Sequence, residues 1–472
     1  MAELAIQTTT NVVTSGPPHK AILRLALPTL VAMLTQSFVN EIDLIFFAHL
    51  PNPEGSNAQA ALFPSLVVLW MFGGSLSAIT VGTQSMTARR FAEGDHRAAG
   101  AVILNSFLFA LVGGTLFSLA GFFIMPLILG KLIATDLEGA RAAANAYLSF
   151  RVWGVLSMAA TAAFKAFFDG IGKTYVHLVS AVVMNVINVA LCVVLIFGYW
   201  GFPRMGIAGA GLAGVVSTYV GLGVMIIYAL KPEYRKSFQP FDLRKYDPKL
   251  LWSILKLSIP GGIATIAVMT GFALFAMIAG KLDDMHPSPN GEPVNLAATS
   301  VIVGILKLTF TACLAFGTAT ATLVSQSLGE KDGAKAARFG WASIRLGLVI
   351  FGIVGVLEAG LAPYILRFFA DKSAAVQATA YTPLVIMGLA TPVIAVGMIL
   401  TQALFGAGDV KFVMVIELIL HFVCLVPLAY VLGVTLDMGI VGLFLAAVTY
   451  IVGLAIGMVV RFRSGVWQKI KV

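Results

Sequence analysis

Uninterrupted apolar runs of about 20 residues or more recur along the whole chain, and they limit its fold more than any other feature. A backbone in lipid has no water to bond, so only helices and closed barrels can cross a bilayer. The runs here are continuous rather than alternating, which excludes a barrel and leaves helices. Composition agrees. Charged residues make up 11% of the chain and hydrophobic ones 59%, with a mean hydropathy of +0.93, whereas soluble chains carry roughly 25% charged residues. The fold class is therefore an all-α integral membrane protein of about twelve transmembrane helices. Spans are expected at residues 22–48, 60–86, 99–126, 146–167, 175–198 and 206–230, then at 252–280, 296–325, 340–366, 379–404, 411–433 and 439–460.

The longest connection, rich in Lys, Arg, Pro and Tyr, splits the chain near its middle. It divides an N-terminal lobe (1–230) and a C-terminal lobe (252–472) at a basic cytoplasmic linker (231–251). The lobes repeat each other. Ile22-Leu23-Arg24-Leu25-Ala26-Leu27-Pro28 opens the first span, and Ile254-Leu255-Lys256-Leu257-Ser258-Ile259-Pro260 the seventh. Ala92-Glu93-Gly94-Asp95 follows the second span, and Gly329-Glu330-Lys331-Asp332 the eighth. Met205-Gly206-Ile207-Ala208-Gly209 opens the sixth, and Met438-Gly439-Ile440-Val441-Gly442 the twelfth. The three pairs are displaced by about 232–237 residues. Six spans per half give both halves one orientation, so the repeat is parallel, with a pathway expected between the halves.

A net charge of +9 would point to nucleic acid in a soluble protein, but here it reads as topology. With both termini inside, the cytoplasmic segments hold about 20 of the 31 Lys and Arg, as the positive-inside rule requires. Ser237 is then expected to be cytoplasmic and Ser56 external. Cys192, Cys313 and Cys424 fall inside apolar runs, so no disulfide framework is implied. The polar N-terminal tail lacks the pattern of a signal peptide.

These residues resemble the multidrug and toxic compound extrusion (MATE) transporters. Pro28 is followed fifteen residues later by Asp43, within Asn40-Glu41-Ile42-Asp43-Leu44. The Gly94-Asp95 turn, its counterpart at Lys331-Asp332 and Phe168-Asp169-Gly170-Ile171-Gly172 are similar to that family's short loops. So are the run from Asn188 to Gly198 and the Gly206 motif. The resemblance covers residues 22–460. It implies a two-lobed exporter that exchanges protons or sodium ions for organic, often cationic, compounds. Val268 stands where other branches carry an acid in span seven, so the better match is the DinF-like branch. Cys192 replaces an Asp that many such members carry four residues after the span-five Asn.

A charge at mid-membrane costs roughly 2.5–3.5 kcal/mol on insertion scales, so each one retained there calls for a reason. Asp43 is the strongest case. Gln36, Asn40 and Asp43, at i, i+4 and i+7, share one helix face. Asn185 and Asn188 share a face of span five. A carboxyl among amides can carry a proton, because burial favours its neutral form, or it can offer oxygens to a sodium ion. Asp43, Asn40, Asn188 and Asn185 are the expected ion-coupling residues, with sodium at Asp43 the one possible metal. Glu41, on another face, joins Gln36 and Lys307 as substrate-cavity candidates. Pro28 and Pro260 are hinge candidates. Lys165 is expected to snorkel to the cytoplasmic side. Glu417 and His421, at i and i+4, read as a structural pair slightly more readily than as a second proton relay. The 32 Phe and 17 Met suit promiscuous apolar binding, but most are expected in lipid or in cores.

No nucleotide loop, metal-ligand cluster or nucleophile–base pair appears in the sequence, so an enzyme is not expected. Nor is a cofactor beyond the coupling proton or sodium ion. The expected protein is a monomeric, multi-pass exporter in a bacterial inner membrane, working by alternating access. Its partners are a small-molecule substrate and the bilayer, with no nucleic acid. The rival reading is a lipid-linked saccharide flippase of the same wider superfamily, which the scarcity of deep basic residues disfavours.

Overall fold

The computed structural model describes residues 17–51, 53–132, 138–287, 293–369 and 373–470. They form helices α1 (Pro18–Ala48), α2 (Glu54–Ser77), α3 (Ile79–Ala92), α4 (His96–Leu132), α5 (Glu138–Arg151), α6 (Gly154–Gly170), α7 (Tyr175–Phe197) and α8 (Ile207–Leu230). A short α9 (Pro232–Phe238) leads to α10 (Pro248–Met285), α11 (Val294–Gly329), α12 (Gly333–Gly360), α13 (Ala362–Phe369), α14 (Ala374–Ala407), α15 (Val410–Thr435) and α16 (Gly439–Arg463). Among the described residues, ten helices are long and apolar enough to cross a membrane. The rest of the expected dozen are α1, some of whose side chains lie outside the described residues, and the fourth span, which breaks between α5 and α6.

Two compact units divide the chain. One is Leu27–Gly262, and the other is Gly16–Ala26 together with Ile263–Val472 over its described residues. The divisions fall beside Pro28 and Pro260, each inside a long helix, where proline removes a backbone donor and crowds the preceding turn. Residues 231–251, read from sequence as a linker, pack into the first unit. Phe238 is buried against Phe91 and Phe167, and Gly100 allows its backbone to approach closely. The Asn105 amide donates to the Lys245 carbonyl at 3.2 Å, and the Asp247 N–H donates to Asn105 Oδ1 at 3.1 Å.

Each unit is built around the fourth span of its half. In the first, α6 packs on α3, α4 and α8; in the second, α14 packs on α11, α12 and α16. The repeated motifs form matching joints. Gly206 and Gly439 take φ of +55° and +58°, which glycine tolerates and other residues rarely adopt. The chain can then turn back tightly, with the Met205 N–H on the Leu195 carbonyl at 2.9 Å and the Met438 N–H on the Leu432 carbonyl at 3.1 Å. Asp95 and Asp332 cap the following helices alike, accepting the N–H of Ala98 and of Lys335 at 2.8 Å. A buried hydroxyl pair also recurs, Thr83 with Ser106 at 2.7 Å and Thr320 with Ser343 at 2.8 Å.

Candidate functional site

A polar cavity of about 30 Å³ lies within the first unit, with room for an ion or a water or two but not for an organic molecule. Helix α1 brings Gln36 and Asp43 to it from one face, as their spacing predicts. Helix α7 brings Asn185 and Asn188, again as predicted. The Asn188 amide donates to Ser217 Oγ on α8 at 3.2 Å, and the Ser217 hydroxyl donates to the Gly214 carbonyl at 3.0 Å. The Cys192 thiol stands 3.5 Å from Asp43 Oδ1 and 3.9 Å from Asn188 Oδ1. The residue that departs from the family pattern therefore touches the carboxylate directly. Both side-chain polar atoms of Asn185 are buried without a hydrogen-bond partner among the described residues.

Arg151 was missed by the reading of charged residues, although it falls inside an expected span. It ends α5 where the fourth span breaks. Hydroxyls from other helices meet the chain at the break: Ser118 donates to the Val152 carbonyl and Tyr219 to the Trp153 carbonyl, both at 3.0 Å. Two glycines make room for the guanidinium. A Cβ on Gly154 would stand 3.0 Å from Arg151 Nη1, and one on Gly214 would stand 2.9 Å from Nε. Arg151 lines the cavity beside Tyr147 and acts on Asp43 through its charge. Its Nη1 is buried without a partner among the described residues.

Other expected residues stand elsewhere. The side chains of Asn40 and Glu41 lie outside the described residues. Lys307 is exposed on α11 of the second unit and does not line this cavity. Lys165 donates to fully buried Asp169 at 2.7 Å, so an ion pair holds it where snorkelling was expected. Glu358 accepts from Thr309 and, at 2.7 Å, from Thr391. Among the described residues no three His, Cys, Asp or Glu side chains are grouped to hold a metal ion. A sodium ion would have Asp43 and amide oxygens as hard ligands, with a thiol and a guanidinium in the same small space.

Comparison with known proteins extends this picture to the whole chain. The sequence model of the MatE family matches residues 28–194 and 260–431, one stretch in each half. A Thermotoga maritima protein described as "Probable multidrug resistance protein NorM" is 25% identical over 463 residues, covering 96% of this chain and 93% of that one. A protein of the same description from Agrobacterium fabrum is also 25% identical, over 96% and 95%. Among solved structures, an outward-facing multidrug resistance MATE family transporter superposes with a TM-score of 0.82 at 20% identity over 96% of each chain. A MATE crystal structure in a bent conformation gives 0.81 at 21%, again over 96% of each. Matched in both halves, this multi-pass membrane protein belongs to the multidrug and toxic compound extrusion family of transporters.

Proposed function

We propose that the protein is a secondary active exporter of the family's DinF-like branch. Proton uptake at Asp43 drives the expulsion of organic, cationic small molecules as the two units expose the pathway to one side and then the other. The observation that carries this reading is the cavity in the first unit, which holds one carboxyl among amides and hydroxyls and is too small for the substrate. Such a cavity suits the coupling ion. Protons fit it better than sodium, because Arg151 already places a positive charge beside Asp43 and Cys192 offers a sulfur where a hard cation takes oxygen. The branch assignment is supported by Val268 in place of a span-seven acid, which leaves coupling to the N-terminal half. Full-length similarity to multidrug resistance proteins supports a drug-like cargo, and the flippase alternative is not favoured.

Loading and unloading a buried carboxyl changes its cost of burial by several kcal/mol. About 5.5 kcal/mol takes a two-state equilibrium from 1:99 to 99:1, so one proton can bias a conformational cycle. Asp43→Asn keeps shape and hydrogen bonding while removing the titration. In proteoliposomes with proton and sodium gradients imposed separately, it is expected to abolish proton-driven export and leave the protein folded. Export at the wild-type rate under a proton gradient would overturn the assignment, and export driven by sodium alone would overturn the choice of ion.

A further inference from the structure

The second unit holds a buried titratable group that the proposed coupling site does not use. Glu417 lies on α15 just before the helix loosens into a π-helical turn at Leu420–Leu425, with a second at Val431–Thr435. Pro427 lies between them, where its missing N–H interrupts the α-helical ladder. Short π segments are rare and often accompany functional sites. The Tyr450 hydroxyl, from α16, donates to Glu417 Oε2 at 2.9 Å. His421 is fully buried, with Nδ1 2.9 Å from the Glu417 carbonyl oxygen and 3.4 Å from Oε2. A carbonyl can only accept, so the neutral ring carries its proton on Nδ1. That leaves Nε2 as its basic atom, and Nε2 is buried without a hydrogen-bond partner among the described residues. Gly271 on α10 seats the ring edge, since a Cβ there would stand 2.4 Å from His421 Cδ2.

We propose that Glu417, His421 and Tyr450 form a second proton-binding site, in the C-terminal unit. The charge balance carries the argument. Buried Asp169 and Asp409 each have a permanent cation, Lys165 at 2.7 Å and Arg461 at 2.6 Å. The basic partner of Glu417 is instead a histidine, which is itself titratable. Ionised Glu417 beside neutral His421 leaves a net buried charge of minus one. A proton arriving from water, on the carboxylate or on Nε2, brings the cluster to zero. Burying an uncompensated charge costs several kcal/mol, so the cluster takes up one proton and releases it only when water or a partner reaches it. The facing elements bring little competing charge. Helix α14 has no charged residue along its length. Helix α16 contributes Tyr450 nearby and, at its far end, Arg463 and the paired Arg461. Helix α10 faces the ring with Gly271, its Lys249 and Lys256 lying before Pro260 and its Lys281, Asp283 and Asp284 at the other end. On α15 itself, Lys411, Cys424 and Tyr430 are the other titratable groups.

The test needs no transport assay. Infrared difference spectra of the purified full chain, between about pH 5 and about pH 8, are expected to contain a carboxylic-acid carbonyl band that Glu417→Gln removes and Asp43→Asn leaves. Tyr450→Phe should shift that band without abolishing it, because it removes the hydrogen bond and keeps the carboxyl. This second variant keeps the test decisive if Glu417→Gln does not fold. A folded Glu417→Gln protein with the wild-type spectrum would overturn the proposal, and so would an unmoved band in Tyr450→Phe. In transport, where the idea rests on the proposed export, Glu417→Gln should move one proton fewer per substrate. Failure of the export reading alone would instead show as no gradient-driven export by the wild-type protein, with the infrared band intact.

Discussion

Gly214 has no side chain, yet it helps decide where the cation of the N-terminal cavity stands. A Cβ there would meet Arg151 at Nε, Cζ and Cδ, 2.9–3.2 Å away. Those atoms end a flexible side chain, so it is the guanidinium that yields and not the helices. Gly214→Ala is therefore expected to leave thermal unfolding nearly unchanged while export falls by about tenfold or more, equivalent to roughly 1.4 kcal/mol. Gly211→Ala, three residues earlier, should behave oppositely. Its Cβ would stand 2.5 Å from the Tyr147 carbonyl oxygen, which is backbone, and overpacking of that kind costs about 1–3 kcal/mol of stability. Equal export by Gly214→Ala and wild type in proteoliposomes would remove Arg151 from the proposed coupling site. Asp43, Gln36, Asn185 and Asn188 were legible in the sequence because polar groups in a span are costly and their spacing puts them on a face. Arg151 was equally costly and could have been found by the same rule. Ser217 and Thr218 could not, since hydroxyls in spans commonly bond their own helix, as Thr115 does to the Leu111 carbonyl.

At the scale of elements, the joint between spans five and six occurs twice. A Cβ on Gly209 would stand 2.7 Å from the Leu195 carbonyl, and one on Gly442 would stand 2.7 Å from the Leu432 carbonyl. Both neighbours are backbone, so neither joint can relax cheaply. Gly209→Ala and Gly442→Ala are each expected to lower stability by about 1–3 kcal/mol. Gly223→Ala, on α8 with open space around it, should be neutral or slightly stabilising, because alanine is the better helix former. Thermal unfolding of the three purified variants checks this, and a Gly442→Ala protein as stable as wild type would count against the matched joints. Helix existence was readable from the apolar runs. The break after Arg151 was not, because the hydroxyls that meet it, Ser118 and Tyr219, come from other helices. The π-helical turns were not either, as Pro427 alone does not say how its helix will adjust.

For the whole molecule, the orientation expected from the cationic excess of one set of loops is open to test, and the structure refines how to test it. Ser237, a natural labelling position on the sequence alone, is buried. Lys236 beside it is exposed, as is Ser56. In a background without native cysteines, Ser56→Cys is expected to react with an impermeant thiol reagent on intact cells and Lys236→Cys only after permeabilisation. Labelling of Lys236→Cys from outside would reverse the topology. The sequence by itself determined the lipid solvent, the helices, the parallel repeat and the carboxylate most worth testing. Those depend on composition, periodicity and the cost of burying charge, all of which belong to residues or short segments. Only the tertiary structure decided that the basic connection packs into the first unit and that the unit boundaries fall beside the two prolines. It alone set Arg151 and Cys192 beside Asp43 and assembled Glu417, His421 and Tyr450. Each of these depends on which distant helix supplies the neighbouring atom, and a sequence read along one dimension does not contain that distance.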